Sequence, residues 1–89
     1  METIHGITET IHEYSFRFQA DEGTRYAILA RGERRGDGMW EGWVEFQPLD
    51  GGQPLRTGRE TTQPNRDALA YWASGLEPIY FEGAFERAG

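Results

Sequence analysis

Glu41 and Glu45 come nearest to a catalytic pair in this chain. Both fall on one face of a strand through Met39-Trp40-Glu41-Gly42-Trp43-Val44-Glu45-Phe46, and two carboxylates flanking a substrate are the machinery of glycoside hydrolysis. The same side chains also suit cross-strand ion pairs, Glu41 with Arg31 above all, and this is the favoured reading. Arg31, Arg34 and Arg35 form the one positive cluster, where a phosphate or acidic partner could dock. Glu33 and Asp37 interrupt it, so a solvated loop is expected. His5 and His12 are the only imidazoles, and with 0 Cys their spacing does not resemble a zinc site, so exposed histidines are expected. Ser15, on an outer strand face, and Ser74, near a helix end, have no base beside them. There is no lysine, and Gly36, Gly38 and Gly42 lie between strands, which excludes a phosphate-cradling loop. The expectation is a non-catalytic protein with no cofactor and no metal.

Composition narrows the classes further. At 89 residues the chain is expected to be a single domain, 1–89, too small to surround a deep cleft. Hydrophobic content of 37% with 13% aromatic supports a core built largely of rings. A net charge of -6 opposes binding to nucleic acid or to an anionic membrane. An acidic mimic of nucleic acid would need carboxylates arrayed on one face, and the interspersed arginines argue against it. No signal-like or membrane-spanning run is present, and the absence of cysteine suits a reducing compartment, so a cytoplasmic location is expected.

The pattern predicts an α+β fold, an antiparallel three- to four-stranded meander packed on a helix. Residues 1–11 follow no clean period and read as an arm or a short strand. From His12 onward, Tyr14, Phe16, Phe18 and Ala20 alternate with polar residues, as in a strand with one buried face. A hairpin loop at Asp21-Glu22-Gly23, with Gly23 left-handed, pairs Phe18 with Tyr26, Phe16 with Ile28, Tyr14 with Ala30 and Glu13 with Arg31. A second hairpin centred on Gly36 sets Ala30 against Gly42, Ile28 against Val44, Leu29 against Trp43 and Arg31 against Glu41. A bulge at Gly42 is the competing arrangement of that strand. Leu55 to Thr61 reads as a charged edge strand. A helix over about 64–74 is capped by Thr62, turns Leu69, Trp72 and Ala73 inward, and ends at Gly75. Residues 78–88 fit a C-terminal helix, with a strand as the alternative.

These registers leave Trp43 on the face opposite the core, beside Leu29 and Ala27 and rimmed by Arg17, Arg25, Arg31, Glu41 and Glu45. An apolar centre inside an arginine-rich rim is how an interface hot spot is built. The expected function is therefore a protein-interaction module that self-associates as a homodimer or binds a protein partner through this face. The alternatives are cover by the chain's own terminus, and a small-ligand-binding protein or minor enzyme using Arg31, Arg34 and Arg35 or Glu41 and Glu45.

Strands in a meander, a helix entered at Thr62 and the Ala68-Leu69 pair, together spanning about residues 12–75, resemble the partner-binding domain of HicB-type antitoxins. The chain lacks that family's proline-rich loop after the second strand and its C-terminal DNA-binding segment. Trp40-Glu41-Gly42-Trp43 and Arg59-Glu60-Thr61-Thr62-Gln63 are also similar to segments of small uncharacterised bacterial proteins. The resemblances imply a fold and carry no activity or site residue to this chain.

Overall fold

A computed structural model of the chain describes residues 7–89, so Ile4 and His5 lie outside the described residues. The elements are β1 (Glu9–Gln19), β2 (Arg25–Arg34), β3 (Trp40–Pro48), β4 (Leu55–Arg56), β5 (Thr61–Gln63), α1 (Arg66–Ser74) and α2 (Pro78–Arg87). The first three strands form an antiparallel meander, and β4 and β5 both pair with the far edge of β3. The fold is α+β, and the last segment is a helix. Among the described residues no helix is long and apolar enough to cross a membrane.

The first hairpin follows the expected turn. Gly23 has φ +104°, Phe18 faces Tyr26 and Arg17 faces Ala27. Beyond that the register shifts twice, between Glu13 and Arg17 and again between Thr10 and His12. Glu13 therefore faces Leu29 instead of Arg31, and His12, not Tyr14, faces Ala30. The first interruption falls where core packing takes precedence over the ladder. Tyr14 and Phe16 both bring their rings onto Phe81 of α2, at 4.8 and 5.6 Å, and the Tyr14 hydroxyl donates to the Ala73 carbonyl at 2.6 Å.

In the second hairpin the expected faces are right and the expected partners are displaced by two. Ala30 meets Val44, Ile28 meets Phe46, Arg31 meets Trp43 and Leu29 meets Glu45. The turn is centred on Asp37, not Gly36. Gly38 supplies the positive φ of +88°, and the Asp37 carboxylate accepts from the Met39 N–H at 3.0 Å. The β2–β3 ladder runs without a break from Tyr26 to Arg34, so Gly42 is not a bulge. Gly42 instead faces Gly32, and the two form a notch filled by Leu69 of α1. A Cβ on Gly32 would lie 2.5 Å from Leu69 Cδ2, and one on Gly42 would lie 2.6 Å from Cδ1.

The edge segment expected over Leu55 to Thr61 divides in two. Thr57 N–H donates to the Val44 carbonyl at 2.9 Å, and the buried Thr57 hydroxyl accepts from Val44 N–H at 3.1 Å. The chain then arches away and returns where Glu60 N–H donates to the Gly42 carbonyl. Thr62 belongs to β5, and the cap of α1 is Asn65, whose side chain accepts from Ala68 N–H at 2.8 Å. Pairing of β5 with Trp40–Gly42 keeps the chain extended past Thr62, which delays the helix.

Both helices cover one side of the sheet. Phe81 and Ala84 of α2 are fully buried with Ile28, Val44 and Phe46, and Phe85 packs on Phe18, Tyr26 and Phe46. Since Leu69 is fully buried, it has little room to give way to a new methyl. Gly42→Ala should destabilise the chain by about 1–3 kcal/mol, as overpacking does. In a Leu69→Ala background the same change should cost less, a coupling that a urea double-mutant cycle reads directly.

Candidate functional site

Neither helix lies on the other face of the sheet, where odd-numbered residues of β2 and β3 project. There Trp43 stands opposite Arg31, with Leu29 opposite Glu45 and Ala27 opposite Gln47. Ala27, Leu29, Arg31, Glu41 and Glu45 are half-buried and Arg17 is exposed, so the expected candidates do share one surface. Trp43 itself is only 3% exposed. The Arg56 guanidinium of β4 lies over its ring at 4.1 Å from the centroid, so the chain provides part of the cover on this indole. Trp43 is thus the floor of the face, and Leu29, Arg17 and Arg56 are what another molecule would meet first.

Two donors in this floor have no acceptor. Trp43 Nε1 and Arg31 Nε are buried without a hydrogen-bond partner among the described residues. Arg31 Nε is 3.7 Å from Glu45 Oε1, close enough for ionic attraction and too far for a hydrogen bond. The opposite side of Arg31 is satisfied, since Nη1 donates to Thr10 Oγ1 at 2.6 Å. A buried donor without an acceptor costs about 1–3 kcal/mol.

The other candidate chemistries are not assembled. Glu41 is paired with Arg35 (3.8 Å) and not with Arg31, because the two-residue displacement of the hairpin puts Arg31 opposite Trp43. Glu45 takes Arg31 and also accepts from Gln47 Nε2 at 2.6 Å, so each carboxylate of the supposed pair has its own cation. The arginines of the tip diverge. Arg31 and Arg35 project to the outer face with their carboxylates, whereas Arg34 has the opposite parity and pairs with Trp40. His12 packs its ring 4.5 Å from that of Tyr14. Ser74 donates to the Tyr71 carbonyl, and Ser15 is exposed on β1. No group of three His, Cys, Asp or Glu side chains is placed to hold a metal among the described residues.

One titratable cluster has no local signature, because its members are 20 and 27 residues apart. Glu60, in the arch between β4 and β5, accepts from the Tyr80 hydroxyl and from Arg87 Nε (3.0 Å) and Nη2 (2.7 Å), both on α2. These bonds, Arg87 foremost, hold the Glu60 carboxyl below the ordinary carboxylate range. Burial, then the bond to Glu60, pushes the Tyr80 phenol up to about 12. All three groups are satisfied by one another, and the cluster acts as a latch between α2 and the sheet edge.

No protein-family model, curated protein or solved structure matches the chain.

Trp43→Ala should lower stability by about 3–5 kcal/mol in urea unfolding, the range for emptying a buried indole site. The latch predicts an acid-sensitive limb. A carboxylate with a depressed pKa contributes stability above its unfolded value, here near 4.5, and loses it as pH falls through the folded value. Urea midpoints measured from roughly pH 6 down to pH 3 should therefore fall less steeply for Glu60→Gln than for the wild-type chain.

Proposed function

We propose that this protein is a non-catalytic interaction module and that it associates through the outer sheet face centred on Trp43. The observation that carries the reading is the pair of unsatisfied donors in the floor of a face that neither helix covers, Trp43 Nε1 and Arg31 Nε. An incoming carbonyl or carboxylate would relieve them once Arg56 and Glu45, which lie over and beside them, turn aside. Around them, half-buried Leu29 and Ala27 offer apolar contact, and Arg17, Arg56, Glu41 and Glu45 offer charge of both signs. Arginine-rich, locally apolar patches of this kind are typical of interface cores.

A second copy of the chain is the partner that fits best. A two-fold axis places each residue of a patch against others of the same patch, and a patch that mixes arginine with glutamate can then meet opposite charges. The glutamates and arginines here already carry partners within the chain, so rearrangement of Arg31 and Glu45 toward a neighbour is part of the reading.

Light scattering over roughly 10 µM to 1 mM tests it, because association shifts with concentration by mass action. The expected result is a mass that rises toward the dimer, with Leu29→Asp remaining monomeric; its unfolding in urea should stay cooperative at a lower midpoint, since the new carboxylate lies between Glu13 and Glu45 of the neighbouring strands. A wild-type chain that remains monomeric across that range, or a Leu29→Asp variant that still dimerises, overturns self-association through this face.

A further inference from the structure

On the helix-covered side of the sheet, at the end away from the β2–β3 turn, the chain forms an open groove of about 430 Å³. One wall is the end of β1 and its turn (Phe18, Gln19, Ala20 and Asp21), and the other is α2 (Glu82, Phe85 and Glu86). The rings of Phe18 and Phe85 lie 4.6 Å apart, inclined by 31°, and both are only half-buried, so their surface forms an aromatic floor. The rim is acidic. Asp21, Glu82 and Glu86 are exposed, and none of them is in an ion pair among the described residues.

Two features of α2 keep this rim negative. Glu82 and Glu86 are four residues apart, adjacent on the helix surface, where like charges repel. The one cation of the helix, Arg87, is turned toward Glu60 and cannot neutralise them. Among the described residues no basic side chain lines the groove. The carboxylates are also too dispersed to act as chelators, since no cluster of three is placed to hold a metal among the described residues. An aromatic floor under well-separated carboxylates suits a broad organic cation. Its apolar or planar part stacks on the rings while its charge meets the rim.

We propose that this groove binds a basic peptide segment of a partner protein, with an arginine side chain laid over Phe18 and Phe85 and its guanidinium held by Asp21, Glu82 and Glu86. A guanidinium fits better than an ammonium because it can stack on a ring and bond a carboxylate in its own plane at once. The net charge of -6 would favour approach of such a segment. The site does not depend on self-association, since it lies across the sheet from Leu29 and Trp43.

The probe is a fluorescein-labelled Gly-Arg-Gly-Arg-Gly peptide, and its control is the same peptide with citrulline, which keeps the shape and removes the charge. Anisotropy at low salt should show saturable binding of the arginine peptide alone. Glu82→Gln/Glu86→Gln should weaken it by roughly 10-fold, the effect of removing two carboxylate contacts. Asp67→Asn/Glu77→Gln, which removes the same net charge elsewhere, should leave it within about twofold. Equal weakening by both double variants would mean that the peptide senses only overall charge, and this would overturn the proposal. So would binding of the citrulline peptide with the same affinity, or no saturable binding at all. Leu29→Asp should leave peptide binding unchanged, which separates failure of this site from failure of the outer face.

Discussion

Leu69 seated in the notch between Gly32 and Gly42 is the contact on which the arrangement of this fold depends. Two facing glycines weaken a sheet, because glycine loses more conformational freedom than other residues and offers no side chain to pack. Here their lack of side chains creates the only depth at which α1 can approach β2 and β3. The notch exists in just one register. If Ala30 faced Gly42, as the alternation of apolar residues would also allow, Gly32 would face Trp40 and the depression would be filled by an indole. Seating Leu69 therefore selects the pairing of the central hairpin and the height of α1. Through the short connection that follows α1, it also influences where α2 begins.

The consequence is a one-sided molecule. The inner layer holds two groups of aromatic contacts, one of Tyr14 and Phe16 around Phe81 and one of Phe18, Tyr26 and Phe46 around Phe85, and α2 adds the latch from Tyr80 and Arg87 to Glu60. Among the described residues the outer layer has no helix over it. It depends on long side chains lying flat, Arg56 across Trp43 and Arg31 between Thr10 and Glu45. Arginine suits this role, because its stem covers apolar surface while its planar head stacks and bonds. This cover consists of side chains alone, whereas the inner layer is covered by two helices.

Much of this was legible in the residues, for reasons that also explain where legibility stopped. Alternation reports the face to which a side chain belongs, and for Ile28, Ala30, Trp43, Val44 and Phe46 that assignment matches the structure. A displacement of two residues leaves every face unchanged, so the partners across the β2–β3 hairpin could not be read from parity. They depended on Gly38, not Gly36, taking the left-handed conformation and on a helix contact 27 residues beyond Gly42. The shift in β1 between Glu13 and Arg17 answers to Phe81, far along the chain. Thr62 had the character of a cap, but β5 pairs it with Glu41, and Asn65 takes over the role. For the site, the shared face of Leu29, Arg31, Trp43 and Glu45 was legible. The burial of Trp43 under Arg56 and the Glu60 latch were not, since both arise from the arch between β4 and β5.

The two irregularities of β1 matter because, among the described residues, β1 is an unpaired border of the sheet. An uninterrupted strand of eleven residues would present a long straight row of free amides and carbonyls, a template on which further chains could stack into fibrils. Each shift interrupts the regular pairing of β1 with β2, and irregularities of this kind bend a strand and increase its local twist. The departures that obscured the pairing of β1 are of the kind by which edge strands discourage the stacking of further chains.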